Sequence, residues 1–130
     1  MAHPLLSFEA RELIGRMVFL GFNSRVAALD RSTGEIIWDW KSPKGTSDYV
    51  ALLLDDDRLV VSVQGYTYCL NPLTGEQLWF NPLSGFGYGI PAMVSVHGSS
   101  SASAAAAQID QQSRRSDSDS TPSSTSSGIG

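Results

Sequence analysis

The sequence predicts an all-β fold, and two observations carry this prediction. A motif occurs twice, with a spacing of 41 residues and no gap. Short apolar runs separated by turn residues surround each copy, as expected of antiparallel strands. The recurring residues are Leu29, Thr33, Gly34, Glu35 and Trp38, which return as Leu70, Thr74, Gly75, Glu76 and Trp79. A period of about 40 residues, built of strands and ending on Trp, predicts the blades of a β-propeller.

The second copy predicts one complete four-stranded blade over residues 48–80. Its first strand, residues 49–54, is a continuous apolar run of the kind found in strands buried on both faces. Three Asp at 55–57 predict the turn that follows. Gln64 and Gly65 predict a tight hairpin connection, because Gly can take a positive φ. The remaining strands are predicted at residues 58–63, 66–70 and 76–80.

The first copy predicts an incomplete blade over residues 17–40. Its second, third and fourth strands are predicted at residues 17–22, 25–29 and 35–40. One period earlier, residues 8–13 lack the apolar character of a first strand. We therefore predict a short helix or an irregular arm within an N-terminal arm, residues 1–14.

The repeat also continues forward, where residues 49–55 correspond to residues 90–96. This segment predicts the first strand of a third blade whose remainder is absent. Pro91 donates no ladder bond, so it must lie at the strand start or on an open edge. The folding part, residues 15–97, thus contains three strands, then four, then one.

This order suggests that one chain completes the next. Residues 90–96 of one protomer would complete the residue 17–40 blade of its neighbour, in a head-to-tail contact that closes if the rotation allows. The strand residues are Ile90, Ala92, Val94 and Val96. Propellers have about four to eight blades, so a ring needs about two to four chains. A piece of a longer propeller, or a decaying copy, is the alternative.

The repeated turn has a physical explanation in both copies. Asp30 or Asn71 opens it, since a short polar side chain there accepts a bond from the backbone N–H two residues on. A glycine then supplies the left-handed residue that lets the next strand start. A tryptophan closes the blade as a large apolar side chain whose indole N–H needs a partner. The repeat motif is therefore Asp30, Thr33, Gly34 and Trp38, and again Asn71, Thr74, Gly75 and Trp79.

The two copies resemble a known family signature. Ala28, Asp30, Thr33, Gly34 and Trp38 match Ala-x-Asp-x-x-Thr-Gly-Lys-x-x-Trp, with Glu in place of Lys. The second copy matches it with Cys69 for Ala and Asn71 for Asp. This signature is that of pyrroloquinoline-quinone-like (PQQ-like) propeller repeats, and the resemblance covers about residues 17–96. The family includes quinoprotein dehydrogenases, an outer-membrane assembly lipoprotein, and binding or sensor domains.

The resemblance to the enzymes of this family does not extend to their chemistry. Quinoprotein dehydrogenases use an acidic base, Glu, Asn and Asp ligands for calcium, and usually an adjacent-cysteine disulfide. This chain has one Cys, and none of its positions matches those ligands. The Asp at 55–57 form its only carboxylate cluster, and consecutive Asp in a hairpin turn are more often a solvated loop than a cation site. We expect neither PQQ nor calcium, no catalytic residue and no metal site.

Composition sets further limits. Residues 98–130 contain 12 Ser and no aromatic residue, which predicts a disordered Ser/Ala-rich tail that cannot offset its chain entropy by burial. Residues 1–97 carry seven Lys+Arg and ten Asp+Glu, without the basic footprint of nucleic-acid binding. No apolar run approaches the roughly 18 residues of a membrane span. The N-terminus does not resemble a signal peptide, and a cytoplasmic setting is expected.

These observations predict a non-enzymatic structural or interaction module. Its chains would assemble into a homo-oligomeric ring, whose face or central funnel binds a protein or a small ligand. A fragment of a PQQ-dependent dehydrogenase, or of a larger propeller sensor, is the alternative.

Overall fold

The structure is a computed structural model that describes residues 4–101. One helix, α1 (Pro4–Ile14), precedes eight strands. The strands are β1 (Met17–Phe22), β2 (Arg25–Asp30), β3 (Ile36–Lys41), β4 (Val50–Asp55), β5 (Arg58–Val63), β6 (Tyr66–Leu70), β7 (Gln77–Asn81) and β8 (Gly98–Ser100). The predicted all-β fold class is confirmed, since two antiparallel sheets make up the folded part.

The two sheets correspond to the two repeats. Blade 1 is the three-stranded sheet β1-β2-β3, and blade 2 is a five-stranded sheet in the order β7-β6-β5-β4-β8. A register shift lies between Ala28 and Leu29 in blade 1, and between Cys69 and Leu70 in blade 2. The repeat therefore extends to the same bulge at the same position, which re-aims the last strand of each blade.

Tight hairpins join the paired strands, as their residue types predict. Asn23 and Ser24 turn between β1 and β2 with φ of 51° and 62°, and Gln64 and Gly65 turn between β5 and β6 with φ of 52° and 88°. Two successive positive φ values match the right-handed twist of the flanking strands. The predicted hairpin at Gln64 and Gly65 is thus present.

The core lies between the two blades. Blade 1 contributes Val26, Ala28 and Trp38, and blade 2 contributes one face of each of its first three strands. Tyr68 is fully buried there, with Trp40 edge-on at 4.8 Å and Phe80 at 4.9 Å between ring centroids. The hydroxyl of Tyr68 donates to the Lys44 carbonyl at 2.7 Å and accepts from the Lys44 N–H at 2.9 Å. Burial raises the pKa of this phenol.

Helix α1 stands where a first strand of blade 1 would fall by period. Pro4 fits its first turn, Ala, Leu, Glu and Arg favour the helix, and Gly15 follows its last residue. Arg11 binds the Asp56 carboxylate through two bonds of 2.6 and 2.9 Å, which attach the helix to the β4–β5 turn. Of the two predicted alternatives, a helix or an irregular arm, the structure has the helix.

One prediction about the end of the fold is wrong, and another is not tested by a single chain. Residues 90–96 form no strand within the single chain, and their predicted pairing is with a second chain. Gly98–Ser100, predicted to belong to the tail, instead pairs with β4 opposite residues 53–55. An unpaired strand edge is a template for pairing, and the chain covers it with its own residues. The predicted tail from residue 102 onward lies outside the described residues.

Candidate functional site

The contact between the two blades is organised around Trp38. Its indole Nε1 donates to the Pro72 carbonyl at 2.8 Å, and its side chain is 9 % exposed. The ring lies flat against Gly75, since a Cβ at that position would lie 2.6 Å from Cε3 and 2.7 Å from Cδ2. Only a residue without a Cβ permits this approach. Trp38 of blade 1 therefore docks on the repeated turn of blade 2.

The turn that receives Trp38 is built by its own side chains. The Asn71 side-chain oxygen accepts from the Leu73 N–H at 2.9 Å, and the Thr74 hydroxyl accepts from the Glu76 N–H at 3.2 Å. Gly75 has a φ of 78°, and its N–H donates to the Asn71 carbonyl at 2.8 Å. This is the geometry expected of an Asx turn that ends on a left-handed glycine.

Blade 1 carries the same turn with the same geometry. The Asp30 carboxylate accepts from the N–H groups of Ser32 at 2.7 Å and Thr33 at 3.0 Å, and these two bonds lower the pKa of Asp30. Gly34 has the φ of 78° found at Gly75. Apart from its two neighbours in the chain, no residue of 4–101 has an atom within 4 Å of a Cβ built at Gly34. The second turn is therefore preformed, and the space above its glycine is open.

The second tryptophan of the repeat is in the opposite situation. Trp79 pairs with Cys69 in the sheet as Trp38 pairs with Ala28, yet it is 46 % exposed. The structure thus holds one occupied docking contact, between Trp38 and the Gly75 turn. It also holds the two separate halves of another, which are Trp79 and the Gly34 turn.

The flat faces of the blades show the same asymmetry. Leu59, Val61 and Val63 of blade 2 face blade 1 and are at most 1 % exposed. One period earlier, their equivalents on β1 are apolar as well but face outward. These are Val18, Leu20 and Phe22, exposed by 42 %, 41 % and 56 %. The apolar pattern on β1 is therefore the pattern of a blade-facing surface against which no blade in residues 4–101 packs.

A groove runs beside β1 where the first strand of blade 1 would lie. It has a volume of about 350 Å³. Its walls are Met17, Val18 and Phe19 of β1, Leu52, Leu54 and Leu59 of blade 2, and residues 99–101. Among the described strands, β1 pairs along its length with β2 alone. Its other edge borders this groove, apart from the single bridge between Phe22 and Tyr49.

The predicted inter-protomer strand has an irregular conformation in the single chain. Ile90 and Pro91 share a cleft of about 240 Å³ with Ser62 of β5. Val94 and Val96 are 91 % and 92 % exposed, which is unusual for two valines so close in sequence. The remaining residue of the set, Ala92, is exposed too. Pairing of these residues with a second chain stays a prediction.

A wider cleft of about 540 Å³ lies at one end of blade 2. Tyr49 and Gln64 line one side, and Tyr88 and Ile90 line another. Tyr88 belongs to the glycine-rich connection after β7, in which Phe86 is also largely exposed. This connection carries the chain from β7 toward residue 90, the role that its glycines suggest.

The acidic cluster does not fit a cation site. The Asp56 carboxylate is held by Arg11, which lowers its pKa, and the Asp57 carboxylate lies 3.2 Å from Arg58. Among residues 4–101, His, Cys, Asp and Glu form no group of three or more that could hold a metal ion. The residues at this turn therefore do not fit the calcium that accompanies a bound quinone.

Neither Cys69 nor α1 adds a reactive or membrane-spanning element to the described chain. Cys69 is fully buried with a free thiol, whose pKa burial raises. Within the described part of the chain, α1 is neither long nor apolar enough to cross a membrane.

The comparison with family models agrees with the repeat geometry. The model described as outer membrane protein assembly factor BamB, a model of PQQ-like repeats, matches residues 22–116 of the 130. The chain belongs to the PQQ-like repeat family. No curated protein matches the chain. The match begins at the end of β1, so it includes both turns, both tryptophans and residues 90–96.

In this PQQ-like repeat chain, the residue pattern predicted both turns. It did not predict that the turn of blade 2 receives the ring of Trp38. Sequence reasoning missed the Pro72 carbonyl as the indole acceptor and the β1 face as an open surface. The signal was present in the period of 41 residues, which aligns apolar β1 residues with the buried residues of β5. The ion pair between Arg11 and Asp56 joins residues 45 positions apart, and the repeat gives no signal for it.

Proposed function

We propose that the protein is a non-enzymatic interaction module whose chains join head to tail, the end of one chain completing a blade of the next. The observation that carries this proposal is the open edge of β1 beside a groove of about 350 Å³. The chain has a segment with the right period and the right apolar residues for this edge, residues 90–96.

The start of that segment supports the proposal by its position. In the contact between blades 1 and 2, Phe22 bridges to Tyr49, and Val50 packs where a Cβ of Gly21 would be. One period later, Ser62 corresponds to Gly21 and Pro91 corresponds to Val50. Ser62 and Pro91 line the same cleft. The start of the segment therefore lies near β5, as the start of β4 lies near β1.

The energetics favour pairing of this segment with a second chain. Strand addition to an open edge gives backbone hydrogen bonds to both partners, and side chains on alternate positions supply specificity. Val94 and Val96 are both more than 90 % exposed in the single chain. Burying a valine side chain contributes roughly 1.5–3 kcal/mol, part of which offsets the ordering of the segment.

A closed ring of such chains would form a small propeller. About two to four chains supply the four to eight blades of known propellers, and the outer faces or central funnel would bind a protein or a small ligand. The proposal includes no nucleic-acid partner, no membrane contact and no PQQ or calcium.

The test measures oligomer mass by native mass spectrometry and light scattering. The whole chain, and a chain ending at Ser101, should give the same oligomer. A chain ending at Gly89 lacks the pairing segment and should not form this oligomer. The doubly substituted Val94→Asp, Val96→Asp chain should be monomeric and folded, because both valines are exposed in the single chain. His97→Ala, next to the segment, is the matched control and should assemble like the whole chain.

Two outcomes contradict the proposal. A folded monomer of the whole chain at high concentration removes the head-to-tail module. Dye reduction by the whole chain supplied with quinone and calcium removes its non-enzymatic character.

A further inference from the structure

We propose that Trp79 of one chain docks on the turn at residues 30–34 of a second copy, as Trp38 docks on the turn at residues 71–75 within one chain. This inference rests on the proposed head-to-tail joining and identifies the side-chain contact that holds it. The occupant of the open blade 1 surface is therefore a second copy of this chain.

The template for the contact is present inside each chain. Trp38 covers Gly75 at a distance that leaves no room for a Cβ, and its Nε1 donates to the Pro72 carbonyl at 2.8 Å. Phe19 packs beside it, with ring centroids 6.1 Å apart. The contact joins two consecutive blades, so a chain of blades repeats it at each boundary.

The turn of blade 1 has what this contact needs. Gly34 matches Gly75 in φ, and the space above it is open. Arg31 occupies the position of Pro72, so its carbonyl would accept from the indole of Trp79. On β1 of the same blade, the exposed Val18, Leu20 and Phe22 correspond to the three residues of β5 that blade 1 buries in the template.

Trp79, the docking side chain, has the same position in its sheet as Trp38 has in blade 1. Trp79 continues a cross-strand row from Val60 and Cys69, which corresponds to the row of Phe19, Ala28 and Trp38. Trp is one of the residues enriched among the few interface positions that supply most of the binding energy. An indole that is 46 % exposed has much of its surface left to bury.

The two contacts between chains agree in direction. Residues 90–96 and Trp79 both lie on blade 2 or directly after it, and together they form the donor side. The β1 edge and Gly34 both lie on blade 1 and form the acceptor side. One neighbour can therefore satisfy both donor elements at once, which makes the contact heterologous rather than two-fold symmetric.

The experiment uses one variant on each side, each with a matched control. On the donor side, Trp79→Ala removes the docking ring. Its control is Leu78→Ala, because strand alternation places Leu78 on the opposite face of β7 from Trp79. On the acceptor side, Gly34→Asn places a side chain where the ring must lie. Asn tolerates a positive φ, so the single chain still folds. The control is Gly85→Asn, since Gly85 has a φ of 86° and open space like Gly34.

We expect both docking variants to be folded monomers in native mass spectrometry and both controls to assemble like the wild type. Mixed together, Trp79→Ala and Gly34→Asn chains should form a one-to-one dimer, because one keeps an intact turn and the other an intact Trp79. Trp79→Phe keeps a ring but loses the indole donor, so we expect assembly about fivefold weaker.

The results separate this inference from the proposed function. Trp79→Ala and Gly34→Asn chains that both assemble like the wild type, while the chain ending at Gly89 does not, overturn the tryptophan contact alone. A wild-type chain that stays monomeric overturns both proposals. A mixture that forms no one-to-one dimer, from variants shown to be folded by circular dichroism, overturns the direction of the contact.

Discussion

At the scale of single residues, Trp38 and Trp79 show that position in the repeat does not decide burial. Both follow the same Thr-Gly-Glu sequence and pair with equivalent residues of the preceding strand. Trp38 is buried because blade 2 lies against it, and Trp79 is half-exposed because no second blade in residues 4–101 lies against it. The stability that each ring contributes depends on its neighbour.

We therefore expect unequal effects of truncating the two rings. Trp38→Ala should lower the free energy of unfolding of the single chain by about 3–5 kcal/mol, the usual result of emptying a core site of this size. Trp79→Ala should lower it by about 1 kcal/mol or less, since exposed positions usually change stability little. Urea unfolding at a concentration too low for assembly measures both. Equal losses would contradict the assignment of Trp38 as the one docked ring.

Asp30 predicts a pH dependence that its counterpart Asn71 cannot have. The N–H groups of Ser32 and Thr33 lower its pKa from an ordinary value of 3.8. A carboxyl whose pKa is depressed by folding stabilises the fold above the unfolded pKa, and this contribution is lost as pH falls through the folded pKa. Asp30→Asn keeps an acceptor, so it should flatten the acid side of the stability profile.

The measurement is the thermal midpoint between about pH 5 and pH 2, the range in which such carboxylates titrate. Asp39→Asn, at an exposed position on β3, serves as the control for the general effect of removing a negative charge. If the two variants shift the acid limb equally, the turn of Asp30 has no special share in it.

At the scale of elements, α1 shows that the period of the repeat does not predict secondary structure outside the two copies. The period places a strand at residues 8–13, and the residues there specify a helix instead. Its position is set by the ion pair between Arg11 and Asp56 and by the burial of Ile14. The pair raises the pKa of Arg11 and lowers that of Asp56, but both groups are exposed.

We expect Arg11→Ala to release α1 without unfolding the blades. Exposed ion pairs contribute little to global stability, so the unfolding midpoint should stay close to that of the wild type. The amides of α1 should exchange with deuterium faster, and added salt should reproduce this effect in the unsubstituted chain. Arg58→Ala, which breaks the pair with Asp57 inside the same turn, should leave exchange in α1 unchanged.

The strands of both blades were predictable to within one residue at each end, because alternation, turn residues and the repeat all act locally. β1, β5 and β6 have the predicted bounds, and β2, β3, β4 and β7 differ by a single residue at one or both ends. β8 was not predictable, since Gly98–Ser100 has a disordered composition and forms a strand only because β4 offers an open edge. Residues 90–96 have strand character but, in one chain, no strand to pair with.

At the scale of the whole molecule, the repeat specifies one occupied blade boundary and leaves two halves of another. The occupied boundary contains the core, including Tyr68 and Trp38, and explains how so few residues fold. The open halves lie on opposite blades and cannot meet within residues 4–101. From the sequence, only the missing first strand of blade 1 could be predicted. The contact of a Trp ring with a glycine and the exposed apolar face of β1 were recognised only in the structure.

β8 has a consequence for the newly made protein before it meets a partner. By covering β4 at residues 53–55, it hides the inner edge of the larger sheet behind three small residues. Exposed edges of apolar strands are where soluble β proteins begin to aggregate. A free protomer thus covers part of one sheet edge while β1 keeps an open edge. Under the proposed head-to-tail joining, an assembly would therefore grow in one direction only.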